Sequence, residues 1–161
     1  MNNHHKHYIN LMTTIAFTFS THDFEYVALT GTKANPTLHS KGKILLPTNH
    51  DIPQTVAWFE TELELLLNSI QPNKVSYRLT VMKVTNNYVS NVFYGQAILN
   101  LLCHKKNIQI SHTSPSSITA SKFNQPKGTN LSVYIESLLG KQSAPWDKGI
   151  KDTALISLIN L

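Results

Sequence analysis

The order of strand-like and helix-like segments constrains the fold of this chain more than any other feature of its sequence. Two runs rich in β-branched and aromatic residues, 14–20 (TIAFTFS) and 24–30 (FEYVALT), meet at a short polar stretch, STHD, that is typical of a hairpin turn. A third strand is predicted over 41–47, after the turn-prone stretch GTKANP. Three strands in succession predict antiparallel pairing at the start of the sheet.

Helices and strands alternate along the rest of the chain. Asp51 is placed to cap a helix with a proline in its first turn, and an apolar stripe continues this helix to about residue 70. A strand is predicted over 74–82 and a helix over 86–106, in which Gly95 indicates a close approach to the sheet. A fifth strand at 107–112 is followed only by helical segments and loops.

This order predicts an α/β fold with one mixed five-stranded sheet, in which three antiparallel strands precede βαβ units and helices cover both faces. The 161 residues contain no internal repeat and no linker long enough to divide them. We therefore expect a flexible N-terminal tail over residues 1–12 and a single domain over residues 13–161.

The positive charge of the chain is concentrated in its second half. Residues 71–161 contain nine lysines and Arg78 against Glu136, Asp147 and Asp152, and the whole chain has a net charge of +5. A basic surface can attract phosphate backbones, although a mildly basic solvated surface is the alternative interpretation. The presence of only one arginine argues against base-specific recognition.

Cysteine usage and hydropathy indicate the cellular compartment in which the protein works. Cys103 is the only cysteine, so no internal disulfide can form, and a core position is predicted for it. No apolar run approaches the ~18–20 residues of a membrane span, and the N-terminus lacks a secretory signal core. These features indicate a protein of a bacterial-type cytoplasm without a membrane partner.

Residues 90–118 carry the clearest family likeness. They contain Gly95-Gln96-Ala97 within a helix, then the strand 108–112, then Ser114-Pro115 at the start of a helical segment. In this order and spacing the chain resembles the ribonuclease H-like superfamily, and within it the RuvC-like Holliday-junction resolvases. It is more similar still to a small uncharacterised bacterial family of the same fold, whose hairpin carries a Gly-Asn-Asp-like turn in place of Thr21-His22-Asp23.

The resemblance implies where catalytic acids would lie. Such nucleases hold two Mg²⁺ ions with carboxylates at the end of the first strand, near the end of the fourth strand, and at two places on the final helix. These places fall on Thr18, on Arg78 or Leu79, near Gly149, and on Asp152, of which only Asp152 is an acid. A shift of the final helix by two residues would exchange Gly149 for Asp147.

A degenerate relative without nuclease activity is therefore the implied interpretation. One acid cannot hold two cations, and Lys151 and Arg78 near the same pocket would repel them. We expect no metal site and no cofactor, and Mg²⁺ would be needed only by a nuclease with relocated ligands. Asp23 and Glu25 are the nearest replacements, but the hairpin is expected to point them away from the carboxyl end of the sheet.

Two kinds of partner remain open. The missing acids and the retained cations favour a non-catalytic module that binds the DNA or RNA backbone. The residues expected to contact it are Lys122, Lys127, Lys148, Lys151 and Arg78. The alternative is a structural or protein-interaction module, a homodimer whose interface is formed by exposed faces of the terminal helices, with Trp146 and residues 155–161.

Overall fold

The computed structural model describes residues 11–80 and 90–161, which form a five-stranded sheet in the order β3-β2-β1-β4-β5. Neighbours are antiparallel from β1 to β3, whereas β4 is parallel to β1 and β5 is parallel to β4. The predicted mixed sheet is confirmed. Its strands are β1 (Met12–Phe19), β2 (Asp23–Gly31), β3 (Pro36–Leu45), β4 (Lys74–Arg78) and β5 (Gln109–Thr113).

Four α-helices accompany the sheet in the described ranges, with short 3-10 turns between β5 and α3. The α-helices are α1 (Ile52–Ile70), α2 (Ser90–Lys105), α3 (Leu131–Leu139) and α4 (Lys148–Asn160). The predicted boundaries shift at β3, which begins at Pro36 because its ladder with β2 continues through an irregularity at Ala28 and Leu29. Of the predicted fourth strand and second helix, positions 81–82 and 86–89 lie outside the described residues.

The face of the sheet covered by α1 and α2 holds a large aromatic core. The side chain of Asp51 accepts the N–H of Gln54 at 2.8 Å, while the Gln54 side chain accepts the N–H of Asp51 at 2.9 Å, which closes the first turn of α1. On α2, a Cβ atom at Gly95 would lie 2.4 Å from the Phe19 ring. The predicted close approach at Gly95 is confirmed.

The opposite face is covered by α4, which packs on β1 through small hydroxyl side chains. The hydroxyls of Thr14 and Ser157 lie 2.8 Å apart, and those of Thr18 and Thr153 also lie 2.8 Å apart. Small residues allow the helix axis to come close to the strand, and each buried hydroxyl finds its partner across the contact. The last helix is thereby fixed over the centre of the sheet.

Burial of α4 corrects one interface predicted from the sequence. Residues 155–161 were expected to offer an exposed surface for a homodimer. Leu155, Ile156 and Leu158 are instead at most 1% exposed and pack in the interior. The apolar pattern of this helix reflects packing against the sheet, and most of it cannot take part in a dimer interface. None of the helices in residues 11–80 and 90–161 is long and apolar enough to cross a membrane.

Candidate functional site

The candidate site lies at the carboxyl ends of β1 and β4. Thr18 of β1 pairs with Glu25 of β2, and Glu25 pairs with Lys43 of β3. On the other side of β1, Arg78 directly follows the last residue pair between β1 and β4, and it pairs with Thr113 of β5. Partners on neighbouring strands share one face of a sheet, and here that face carries α4.

Thr18 is engaged by α4. Its hydroxyl contacts the Thr153 hydroxyl, and Thr153 donates a hydrogen bond to the carbonyl of Gly149, at 2.9 Å. Gly149 lies in the first turn of α4 against the carboxylate of Glu25. The two positions implied by the resemblance on β1 and on the start of the final helix are thus adjacent, but they hold a neutral hydroxyl and a glycine.

Asp23 and Glu25 lie at this same end of the sheet, contrary to the expectation that they point away. The Lys43 ammonium lies 3.3 Å from Glu25 Oε1 and 3.5 Å from Asp23 Oδ2. Alternation along β2 puts Asp23 and Glu25 on one face, where Glu25 pairs with Thr18 and Asp23 accepts a hydrogen bond from the Ser20 hydroxyl in the turn, at 2.8 Å. The structure therefore brings together two acids and one lysine at this place.

Glu25 is unusual among these groups because its side chain is only 9% exposed. Burial raises the pKa of Glu25 and is the largest influence on it, whereas the hydrogen bond and charge of Lys43 lower it. Asp147 and Asp23 raise it further through like-charge repulsion. In return, the hydrogen bond to Glu25 raises the pKa of Lys43, followed by the attraction of Asp23, so the lysine remains charged.

Arg78 and Lys148 line one cavity of about 360 Å³, which we call the cleft cavity. Asp152 also lines it, and the Lys148 ammonium lies 2.6 Å from Asp152 Oδ2. Across the described residues, the Arg78 guanidinium has no ion pair and no hydrogen bond. The first turn of α3 forms another wall, with Asn130, Leu131 and Ser132.

Lys151 does not share this cavity, although the sequence placed it near the same pocket as Arg78. Its ammonium lies 2.7 Å from Glu136 Oε2 and 5.8 Å from the centroid of the Trp146 ring. Trp146 donates its indole N–H to the same carboxylate oxygen, at 3.0 Å. The Lys151 and Trp146 hydrogen bonds hold the pKa of Glu136 below its usual value. Lys151 is therefore engaged with Glu136 of α3 and does not line the cleft cavity.

Lys122 and Lys127 are exposed on the segment between β5 and α3. Lys122 belongs to the short 3-10 turn Ala120–Phe123, and Lys127 follows it in the loop. Neither lines the cleft cavity. Of the cations predicted to contact nucleic acid, Arg78 and Lys148 are brought together by the fold, whereas Lys122, Lys127 and Lys151 are not placed with them.

The carboxylates at this end of the sheet do not fit a pair of Mg²⁺ ions. Magnesium needs several oxygen ligands in octahedral geometry, and each of these carboxylates already has a cation or an N–H partner. Asp147 caps α4 by accepting the N–H of Ile150 at 3.1 Å. In residues 11–80 and 90–161, no group of three or more His, Cys, Asp or Glu side chains is arranged to hold a metal ion. These carboxylates are Asp23, Glu25, Asp147 and Asp152.

Comparison with solved structures identifies the fold. Thermus thermophilus RuvC has a TM-score of 0.76 at 12% identity, with 92% of each chain covered. The same protein in complex with a Holliday junction substrate has a TM-score of 0.74 at 12% identity, with 92% of this chain and 91% of that chain covered. The yeast mitochondrial Holliday junction resolvase Ydc2 has a TM-score of 0.61 at 10% identity, covering 91% and 76%.

These likenesses and the sheet order define a ribonuclease H-like fold. Within that class, the chain has the architecture of the Holliday junction resolvase RuvC, as the sequence resemblance implied. A search with protein-family profiles finds no match to this sequence, and a search of curated proteins finds none either. The likeness to a small bacterial family stays a prediction.

Lys43 is the site residue that the sequence did not indicate. Its role depends on lying across from Glu25, and that pairing depends on the register of β2 with β3. The third strand was predicted to begin near Lys43, which gave no register for it. The sequence of β2 nevertheless indicated that acids face the interior. Asp23 and Glu25 are spaced two residues apart in the same series as the buried Val27 and Leu29, so all four lie on one face of the strand.

Proposed function

We propose that this protein binds the phosphate backbone of nucleic acids at the carboxyl end of its sheet and does not cleave it. The observation that carries the proposal is Arg78, a half-buried residue whose guanidinium lines the cleft cavity without a partner in the described part of the chain. A guanidinium can donate two parallel hydrogen bonds to a phosphate. Lys148 lines the same cavity, but Asp152 lies 2.6 Å from its ammonium and offsets its charge, so Arg78 carries the net positive charge there.

The surroundings of the cleft cavity favour an anion. The first turn of α3 forms one wall, and the N-terminal end of a helix attracts negative charge. Lys122 and Lys127 lie exposed on the segment that leads from β5 to this helix, where a long polyanion could reach them. Contacts of this kind give affinity that depends on salt but carries no sequence information, which agrees with a chain that has one arginine.

The carboxylate pairs argue against cleavage. Hydrolysis in nucleases of this fold would need acids free to hold metal ions, yet Asp152 is paired with Lys148 and Glu25 with Lys43. A nuclease with relocated ligands is the alternative that an experiment must separate. The RuvC structure that matches this fold holds a Holliday junction substrate, so four-way-junction DNA belongs among the ligands tested.

The test is an anisotropy titration of the purified protein against labelled single-stranded DNA, duplex DNA, four-way-junction DNA and matching RNA. Each titration is run at two salt concentrations, with and without Mg²⁺, and the products are examined on a denaturing gel. We expect binding that weakens as salt rises, with a log–log slope of about −0.9 per phosphate neutralised on duplex DNA and about −0.7 on single strands. We expect no cleavage.

Two outcomes would overturn the proposal. The absence of binding to all four ligands at low salt would leave the fold without a nucleic-acid role. Cleavage that requires Mg²⁺ and is lost in Asp152→Asn would establish the nuclease alternative instead. Lys33→Ala is the control for substitution of the cations in the cleft cavity. Lys33 is an exposed lysine in the turn between β2 and β3, at the opposite end of the sheet from this cavity.

A further inference from the structure

The contacts of Lys43 suggest a role for it beyond the proposed binding of nucleic acid. Its ammonium lies within 3.3 Å of Glu25 and 3.5 Å of Asp23, and the side chains of these acids are only 9% and 17% exposed. We infer that the Lys43 ammonium is the resident cation of the Asp23 and Glu25 carboxylates at the start of β2, and that it excludes a divalent metal ion from them. The charge of these carboxylates is then balanced without Mg²⁺, at the place where nucleases of this fold class would hold the metal.

The position of Lys43 is set by the sheet itself. Lys43 is the partner of Glu25 across the β2–β3 ladder, so its side chain starts on the same face and beside the same carboxylate. A tethered cation is present at every ionic composition of the buffer, whereas a free metal ion must be bound from solution. An ammonium also donates hydrogen bonds to carboxylates without the octahedral set of oxygen ligands that Mg²⁺ demands.

The charges around Lys43 explain why its loss would matter. Asp23, Glu25 and Asp147 all act electrostatically on Lys43. Without the ammonium, Asp23 and Glu25 would have no cation in contact with them, while Asp147 would still repel Glu25. Partly buried carboxylates that lose their counter-ion favour the binding of a divalent cation or the uptake of protons. Removal of Lys43 should therefore create a metal dependence that the natural protein does not have.

The experiment compares wild type with Lys43→Met, which keeps most of the length of the side chain and removes its charge. Mn²⁺ binding is measured by electron paramagnetic resonance, and thermal unfolding is followed in EDTA, in Mg²⁺ and in Mn²⁺. We expect wild type to show no saturable Mn²⁺ site that involves Glu25 and no change of Tm with either metal. We expect Lys43→Met to bind one Mn²⁺ ion saturably, at a site that wild type lacks, and to gain roughly 5–10 °C in Tm at Mn²⁺ a hundredfold above Kd.

Two control variants locate the effect. Lys41→Met removes a lysine two positions away on β3 whose ammonium donates to the carbonyl of Ser143 rather than to an acid, and it should behave as wild type does. Lys43→Met combined with Glu25→Gln should lose the new Mn²⁺ site. Mn²⁺ binding by histidines elsewhere in the chain should be the same in all of these variants, so comparing them isolates the site at Glu25.

The inference is overturned if wild type binds Mn²⁺ at a site that Glu25→Gln abolishes, since the ammonium would then not exclude the metal. It is also overturned if folded Lys43→Met gains neither Mn²⁺ binding nor a metal-dependent Tm. Should Lys43→Met not fold in EDTA, refolding in Mn²⁺ decides, and Lys43→Gln provides a second neutral variant. These readouts involve no nucleic acid, so the inference and the proposed function can fail separately.

Discussion

The carboxylate of Glu25 on β2 occupies the space into which a side chain at Gly149 on α4 would extend. A Cβ atom built at Gly149 would lie 2.6 Å from Glu25 Oε2 and 2.8 Å from Oε1. The resemblance to RuvC-like nucleases implies an acid at this place on the final helix. In this chain a carboxylate from the neighbouring strand takes that space, and the glycine is what makes room for it.

Substitution of Gly149 should test this relationship directly. In wild type, Gly149→Ala should lower the free energy of unfolding by about 1–2 kcal/mol, because the new methyl group displaces a buried carboxylate. In a Glu25→Ala background the same change should stabilise by up to about 1 kcal/mol through helix propensity. Denaturant titrations of wild type, the two single variants and the double variant give the coupling free energy between positions 149 and 25. Equal effects in both backgrounds would show that Glu25 is not what Gly149 accommodates.

Arg78→Ala should weaken nucleic-acid binding without changing the fold. We expect a loss of about tenfold or more in affinity at low salt, and a salt dependence shallower by about one phosphate contact. Anisotropy titrations at several salt concentrations measure both quantities, and circular dichroism checks the fold. An Arg78→Ala protein that binds as tightly as Lys33→Ala would remove the cleft cavity from the interface.

Asp152→Asn separates the two functional alternatives by the sign of its effect. Asp152 neutralises Lys148 in the cleft cavity. Its replacement by a neutral amide should free the ammonium and tighten nucleic-acid binding by a few-fold, a gain that higher salt reduces. The same anisotropy titration measures it. A nuclease would respond differently, losing metal-dependent cleavage, and weaker binding by Asp152→Asn would contradict the proposed contact of Lys148 with phosphate.

Cys103 should be chemically silent in the folded protein. It is fully buried, and burial raises the pKa of its thiol from 9.0 to about 11. At pH 8 the thiolate that reacts with disulfide reagents is therefore scarce and shielded. Reaction with a chromogenic disulfide should be slow in native buffer and rapid in denaturant. A fast native reaction would mean that the interior under α2 opens readily.

The same thiol predicts a dependence of stability on pH. A group whose pKa is raised by folding binds its proton more tightly in the folded state, so its contribution is complete below pH 9 and is lost between pH 9 and about 11. The free energy of unfolding of wild type should thus fall more steeply over that range than that of Cys103→Ala. If the free energy of unfolding of the two proteins fell in parallel over this pH range, the buried thiol would not be the cause of the pH dependence.

The sequence predicted the architecture well because each element has a local signal. The β1–β2 hairpin, the Asp51 cap and the close approach at Gly95 depend on neighbouring residues or on simple periodicity. These features need no knowledge of how distant side chains meet.

The electrostatics of the site could not be predicted in the same way. The pairing of Lys43 with Glu25 depends on a strand register that includes an irregularity at Ala28 and Leu29, which no local pattern indicates. Lys151 was expected near the same pocket as Arg78, from the resemblance to RuvC-like nucleases. It turns instead toward Glu136, which is brought near by the packing of α3. Both outcomes depend on tertiary contacts between elements far apart in the chain.

The hydroxyl contacts between β1 and α4 also bear on when this protein can fold during synthesis. They join Thr14 to Ser157 and Thr18 to Thr153, at separations of 143 and 135 residues. β1 lies at the centre of the sheet, so its α4-facing side stays uncovered until nearly the whole described chain has left the ribosome. At roughly 5–20 residues per second, that side is exposed for about 7–30 s, an interval in which a chaperone could bind it.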